Sequence, residues 1–224
     1  MTFATVRSVS IAAAVALSAF SAQALTIPTN SLKAESVQVF SEAALQSYQV
    51  FGVTVTPLGN ATKLSENSFN LPVTSIDIGL TGGIKVQSGK AVGSALEISR
   101  TDSFTGKKMG FVVANFTIDF DKNQVLADTS DLTTKVTQKQ APLYNFVKTQ
   151  ELAFKYKFPL SISLKEQLGD LRVADVYGTV DSLGIDPALG DIVIPTIDFG
   201  VINIDIGVAF RSKPVSTKPY VPAL

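Results

Sequence analysis

Histidine and cysteine are both absent from this 224-residue chain. Histidine is the side chain best suited to proton transfer near neutral pH, and histidine and cysteine are the main protein ligands of zinc, copper and haem iron. Their absence excludes Ser-His-Asp and Cys-His nucleophile systems, metal sites held by imidazole or thiolate, and any structural disulfide.

Charge is sparse and balanced. Charged residues make up 17% of the chain, with 19 Lys and Arg against 19 Asp and Glu. Capture of nucleic acid or of an anionic membrane needs clustered basic residues, so neither partner is expected. Hydrophobic residues reach 46%, which fits strands buried on both faces or an apolar binding surface.

Residues 1–24 have the features of a secretory signal peptide. Arg7 gives a positive start, the segment 11–19 is a short apolar run, and Ala22-Gln23-Ala24 is a small-x-small cleavage site. The run is too short to cross a bilayer, and no later segment reaches ~20 uninterrupted apolar residues. We therefore expect a mature chain that begins near Leu25, has no transmembrane segment, and is periplasmic or extracellular.

One short pattern recurs four times, in which an aspartate stands between two apolar residues. Period-two alternation places the apolar pair on one face of a strand and the aspartate on the other. The copies are Ile76-Asp77-Ile78, Ile118-Asp119-Phe120, Ile197-Asp198-Phe199 and Ile204-Asp205-Ile206. Two of them share a longer frame, which predicts a weak duplication of residues 31–128 and 143–211.

Spacing of the alternating segments predicts an all-β fold for residues 25–211, with sandwich-like antiparallel sheets. Residues 111–120 and 124–128 form a hairpin in this prediction, and segments 171–180 and 191–210 are further strands. One short N-terminal helix is expected over 41–48, with Ser41 as its N-cap. A second short helix is expected over 142–149, a polar loop over 129–140, and a proline-rich extended tail over 212–224.

The segment 119–123 matches the start of a calcium-binding loop, in the pattern Asp-x-Asp-x-Asn. The matching residues are Asp119, Asp121 and Asn123. An EF-hand also needs Gly at the sixth place and a bidentate Glu at the twelfth, and Gln124 and Ser130 stand there instead. A looser calcium site on Asp119, Asp121 and Asn123 remains as a hypothesis. The alternative, which we favour, is a polar hairpin turn.

Other aspartates are candidates by residue type alone. Asp77, Asp198 and Asp205 lie on predicted strands, where they either bind a cation or sugar or form the solvated face, and the second interpretation is favoured. A glycosidase needs a pair of carboxylates at a defined separation, and spacing along the chain does not provide that separation. The candidates for such a pair are Asp175, Asp181 and Asp186.

No Ser-x-x-Lys sequence with supporting partners is present, so a Ser-Lys hydrolase is not indicated either. We predict that the chain is not an enzyme and has no cofactor.

Several turn-forming motifs between residues 41 and 130 resemble those of a loose class of secreted bacterial β domains of poorly defined function, which look related in pattern to the HtaA-like domains of haem uptake. They are Gly52–Thr62, Phe69–Thr74, Leu80–Ile84 with Ser88-Gly89, and Asn115–Asp119. The resemblance implies export and a β fold. It does not imply haem binding here, because Gln87 stands where members of this class often carry a histidine. Any haem would need a tyrosine ligand, from Tyr48, Tyr144, Tyr156, Tyr177 or Tyr220.

These features together predict an exported, non-enzymatic envelope or extracellular protein that binds a protein partner or forms part of the surface. The alternative is a carrier that encloses an apolar ligand such as a lipid within its β core. A large internal pocket lined by Phe and Ile favours the carrier, whereas a solid core with an exposed apolar patch favours the interaction protein. An outer-membrane barrel and a hydrolase rank below both.

Overall fold

The computed structural model describes residues 25–79, 85–149, 153–157 and 161–223. The predicted signal peptide and part of the Leu80–Ile84 motif lie outside these residues. Within them are thirteen strands, three α-helices and one 3₁₀ helix. The strands are β1 (Leu25–Pro28), β2 (Leu32–Val39), β3 (Thr54–Gly59), β4 (Thr62–Ser65), β5 (Ser68–Pro72), β6 (Ser75–Gly79), β7 (Lys85–Thr101), β8 (Lys108–Asp119), β9 (Gln124–Asp131), β10 (Thr137–Lys148), β11 (Ala153–Lys157), β12 (Ser161–Val173) and β13 (Val201–Phe210). The helices are α1 (Glu42–Phe51), α2 (Val176–Leu183), α3 (Pro187–Val193) and the 3₁₀ helix Ile194–Thr196.

The strands belong to one antiparallel sheet, in the order β1-β6-β7-β8-β9-β10-β12-β13-β2-β5-β4, with β3 added to β7 and β11 to β12. The prediction of an all-β, antiparallel fold is confirmed. The predicted hairpin is also present, because β8 and β9 pair across a turn in which Asn123 takes a left-handed conformation with φ 54°.

The sheet curls back on itself through one bent segment. β5 pairs with β2 and β6 pairs with β7, yet only Val73 and Thr74 separate β5 from β6. The Val73 N–H donates to the Ala34 carbonyl on β2 at 2.9 Å, and the Thr74 N–H donates to the Lys90 carbonyl on β7 at 2.7 Å. These two residues thereby connect β2 and β7, which lie far apart in the strand order, and the sheet encloses a common interior.

That interior is apolar and is lined from both sides. Leu71, Ile76, Phe116, Leu164 and Ile204 face it from five different strands, and each is at least 95% buried. Burial of each such side chain contributes about 1.5–3 kcal/mol before entropy is counted. A single core of this kind explains why the chain needs no disulfide.

The four apolar-Asp-apolar copies alternate as predicted. The apolar members are all buried, at Ile76, Ile78, Ile118, Phe120, Ile197, Phe199, Ile204 and Ile206. The aspartates between them are partly or largely exposed. The Ile197 copy nevertheless follows the 3₁₀ helix rather than lying in a strand, so the two longer frames differ in conformation. The duplication stays a prediction.

Helix α1 is confirmed at the predicted place. The Ser41 hydroxyl accepts a hydrogen bond from the Ala44 N–H at 3.1 Å, and Gly52 ends the helix in the left-handed region with φ 67°. Helices α2 and α3 were not predicted. Side chains of α1, α2 and the 3₁₀ helix surround one small void, so these helices pack together over the sheet.

Four local predictions are wrong. The expected strand over 191–210 begins only at Val201, because residues 191–196 belong to α3 and the 3₁₀ helix. The expected helix over 142–149 is the second half of β10, and the expected loop over 129–140 contains the end of β9 and the start of β10. The expected strand over 171–180 ends at Val173 and continues as α2. In each case tertiary pairing or a capping residue outweighs the local pattern, since Asp175 caps α2 by accepting from the Gly178 N–H at 2.9 Å.

Residues 212–223 of the proline-rich tail form no helix or strand, and Tyr220 packs on the outer face of the sheet. The main chain of the tail is bound at several points, including a 3.1 Å bond from the Val215 N–H to the Asn30 carbonyl. No helix among the described residues is long and apolar enough to span a membrane.

Candidate functional site

The predicted calcium residues form a hydrogen-bonded turn. Asp119 Oδ1 accepts from the N–H groups of Asp121 at 3.1 Å and Lys122 at 3.0 Å, and Asp119 Oδ2 lies 3.3 Å from the Lys122 ammonium. Partial burial raises the pKa of Asp119, but the bonds from Lys122 and Asp121 lower it overall. Among the described residues no group of three or more acidic side chains is arranged to hold a metal ion. The calcium hypothesis on Asp119, Asp121 and Asn123 stays a prediction.

The other strand aspartates are not brought together, and each has its own partner. Asp77 accepts from the Ser88 hydroxyl at 2.6 Å and lies 2.9 Å from the Lys90 ammonium. Asp205 lies 2.8 Å from the Lys165 ammonium.

Asp198 has a structural role instead. Its Oδ1 accepts from the N–H groups of Leu171 at 3.1 Å and Gly200 at 2.8 Å. It therefore fixes the chain between the 3₁₀ helix and β13.

Voids inside the curled sheet are small. One of about 30 Å³ lies among Ser36, Gln38, Phe116 and Ile204, and one of about 40 Å³ lies beside Tyr144 under the helices. Each has room for one or two water molecules, whereas small-molecule sites occupy about 300–1,000 Å³. The described interior is a packed core rather than a ligand chamber.

Glu166 on β12 is an ionisable residue that is buried within the apolar interior. It is 4% exposed, and neither carboxylate oxygen has a hydrogen-bond partner among the described residues. Burial raises the pKa of Glu166 to about 7, while the charge of Lys148 acts in the opposite direction. Burial likewise raises the pKa of Tyr144 to about 12, and a hydrogen bond with Gln38 offsets part of this effect. The raised pKa disfavours the phenolate form that a haem ligand needs.

A groove of about 440 Å³ lies between β10 and α2, more than ten times the volume of either interior void. It exists because β12 pairs with only the second half of β10. The Ala174 N–H still donates to the Leu143 carbonyl at 3.0 Å, and the chain then turns away as α2. The first half of β10, from Thr137, is paired with β9 alone, and the groove occupies the space beside it.

The groove combines an apolar base with acidic walls. Phe111 and Leu143 contribute apolar surface, and the carboxylates come from Asp131 at the end of β9 and from Asp175 and Asp181 of the α2 region. Within the described residues no Lys or Arg belongs to this lining. The structure thus brings two of the carboxylates predicted by type, Asp175 and Asp181, to one surface.

Asp186 is not part of the groove and instead caps α3, where it accepts from the Ala188 N–H at 2.9 Å. Asp131 was not predicted as a site residue. Partial burial raises the pKa of Asp131, but hydrogen bonds from the Ser182 hydroxyl and the Thr133 and Thr134 N–H groups lower it overall. A carboxylate held ionised in this way attracts cations and is not suited to donate a proton.

A cluster of hydrogen-bonded polar residues, separate from the acidic groove, lies on the outer face of the sheet. Asn115 on β8 is 6% exposed, and its Nδ2 donates to Asp128 Oδ2 at 2.9 Å. Lys139 lies 3.0 Å from the same oxygen, and Gln140 donates from its side chain to the Asn115 carbonyl at 2.9 Å. Asn115 and Gln140 both have positive φ, 53° and 48°, which is uncommon outside glycine. Such strain persists only where surrounding contacts impose it.

Comparison with known proteins identifies no related protein. No protein-family model matches the chain, and no curated protein or solved structure is detectably similar to it. The likeness to HtaA-like domains therefore rests on the sequence motifs alone.

Proposed function

We propose that this chain is an exported, non-enzymatic binding protein of the envelope or extracellular space, and that its groove between β10 and α2 receives a cationic segment of a partner protein. The observation that carries the proposal is the contrast between the filled interior and the open acidic groove of about 440 Å³. Export rests on the signal-peptide pattern of residues 1–24.

Charge complementarity identifies the partner chemistry. Asp131, Asp175 and Asp181 line one concave surface, and no basic residue of the described lining offsets them. A concave surface lined by one sign of charge focuses its field and raises the local concentration of oppositely charged ligands. Lysine and arginine side chains can reach these carboxylates while their aliphatic stems cover Phe111 and Leu143.

Recognition through side chains fits this groove better than addition of a strand to β10. The register of β10 shifts between Gln138 and Ala141, and Pro142 follows directly. Bulges and prolines are features that protect a sheet edge from pairing with another chain. The partner segment is therefore expected to bind across the groove and to depend on its charged side chains.

The packed interior argues against the apolar carrier. A fatty acid would need a chamber several times larger than the two voids, which together are smaller than any typical ligand site. The groove itself is open and acidic, so it would not shield a hydrocarbon chain from water.

A titration with tetralysine, followed by ¹⁵N NMR on the mature chain, tests the proposal. We expect saturable shifts of groove residues such as Val136, Gln138 and Thr179, and a dissociation constant that rises with added salt. The double variant D175N/D181N should weaken binding at least ten-fold. D186N removes a carboxylate outside the groove and should change binding less than two-fold.

Tetraglutamate and palmitate serve as the comparison ligands. Binding of tetralysine that is equally strong in D175N/D181N and D186N would contradict the groove assignment. Saturable binding of palmitate with shifts of core residues would favour the carrier instead.

A further inference from the structure

The outer face of β7 and β8 carries a cleft that holds an extended segment of the chain. The segment is residues 216–220 of the tail, and the cleft, called here the tail cleft, is formed by Asn60, Gly93 and Asn115 with an apolar floor. The floor consists of the buried residues Ala95, Val112 and Ala114, against which Tyr220 packs.

Two asparagine side chains hold the main chain of the segment. Asn60 Nδ2 donates to the Ser216 carbonyl at 2.7 Å. Asn115 binds Tyr220 on both sides, because its Nδ2 donates to the Tyr220 carbonyl at 3.0 Å and its Oδ1 accepts from the Tyr220 N–H at 2.8 Å. The Asn115 amide thus pairs with one residue of an extended chain as a neighbouring strand would.

The glycine at position 93 makes room for the segment. A Cβ on Gly93 would lie 2.9 Å from the Lys218 carbonyl oxygen and 2.6 Å from Asn60 Nδ2. Gly93 also has φ 82°, and its N–H donates to Asn115 Oδ1 at 3.1 Å. The close approach of the tail therefore depends on the absence of a side chain at this position.

The tail is joined to the domain by a short exposed hinge. Arg211 is fixed to β2, with its guanidinium 2.9 Å from Glu35 and 2.7 Å from the Ala34 carbonyl. Ser212, Lys213 and Pro214, which follow, are all exposed and belong to no helix or strand. Proline limits the conformations of the free tail, so ordering it in a cleft costs less entropy than for most sequences.

We propose that the tail cleft is a binding site for an extended segment and that the tail of a second copy of this chain is its alternative occupant. The second copy presents an identical segment and so makes the same contacts, and only the hinge has to change. Exchange of an identical element between protomers is a low-cost route to association. The site does not include the acidic groove, so this proposal is independent of the one above.

The first test uses the full mature chain and a fluorescent synthetic peptide of residues 212–223. The variant Y220A loosens the resident tail while leaving the cleft unchanged, and it should bind the peptide at least ten-fold more tightly than the wild type. Adding N115G to Y220A should abolish that gain. A peptide with alanine at the tyrosine position should not bind, which provides a check that does not depend on the folding of any variant.

The second test is sedimentation of the full mature chain up to millimolar concentration. We expect a dimer population that rises with concentration in the wild type, is suppressed by Y220A and N115G, and is unchanged in D175N/D181N. Failure of Y220A to gain affinity for the peptide would overturn the tail cleft as a binding site. Peptide binding without any dimer would overturn the second copy as its occupant.

Discussion

The side-chain amide of Asn115 forms hydrogen bonds with both main-chain polar groups of Tyr220, 105 positions later in the chain, at 2.8 and 3.0 Å. The same amide nitrogen also donates to Asp128 at 2.9 Å. One buried asparagine thereby fastens the C-terminal tail to the centre of the sheet. The backbone of Asn115 is held at φ 53°, so both its conformation and its side chain contribute to the contact.

Substitution at Asn115 separates these two contributions. N115G keeps the left-handed backbone and loses only the amide, which should lower the free energy of unfolding by about 2 kcal/mol through two or more lost hydrogen bonds. N115A loses the same bonds but keeps a Cβ at positive φ, where alanine is less stable than glycine by about 1 kcal/mol, so its loss should be larger than that of N115G by this amount. Urea denaturation measures both, and a smaller loss in N115A than in N115G would contradict the assigned strain.

Glu166 should make the protein less stable as pH rises from about 4.5 to about 7. Its pKa is about 7 in the folded chain, against 4.5 as the ordinary value, so the unfolded chain releases this proton first. The folded state then binds more protons than the unfolded state, and the free energy of unfolding falls across that window. We expect a loss on the order of 3 kcal/mol, because each unit between the two pKa values corresponds to about 1.4 kcal/mol.

E166Q tests this directly, since glutamine does not titrate. Its stability should be flat between pH 5 and 7.5, where the wild type declines, and it should exceed that of the wild type at pH 8. E42Q, at an exposed position on α1, is the matched control and should keep the decline. An unchanged slope in E166Q would show that another group is responsible.

Gly200 is a position where a side chain cannot fit. Its φ is 104°, and a Cβ would overlap the Val39 carbonyl oxygen on β2 at the start of β13. We expect G200A to lower the free energy of unfolding by about 2 kcal/mol or more, because conformational strain and steric overlap act together. Gly89 has open space at its Cβ position and no positive φ, so thermal unfolding of G89A should stay within a few degrees of the wild type.

Most strands and α1 could be predicted from the sequence because their signals are local. The alternation of buried and exposed residues holds in all four apolar-Asp-apolar copies, although the Ile197 copy lies outside any strand, and Ser41 is an N-cap that needs no distant partner. The groove could not be predicted, because it depends on where β12 stops beside β10. Asp175 and Asp131 are more than 40 positions apart, and only the fold brings them to one surface.

Some missed features did leave a signal in the sequence. Asp175 and Asp186 are both N-cap residue types, and Pro187 follows Asp186 at a first helical position, so these residues could have revealed α2 and α3. Asn115 interrupts an otherwise apolar run in β8. Glu166 gave no such signal, because the neighbouring Lys165 and Gln167 make the segment look uniformly exposed.

Native mass spectrometry of the protein purified from its own envelope tests the central claim most directly, namely that the exported chain has a filled core and binds its partner on the outside. We predict a chain that begins at Leu25 and carries no retained lipid, in agreement with interior voids of only about 30 and 40 Å³. A lipid or similar apolar molecule retained in stoichiometric amount would contradict the account.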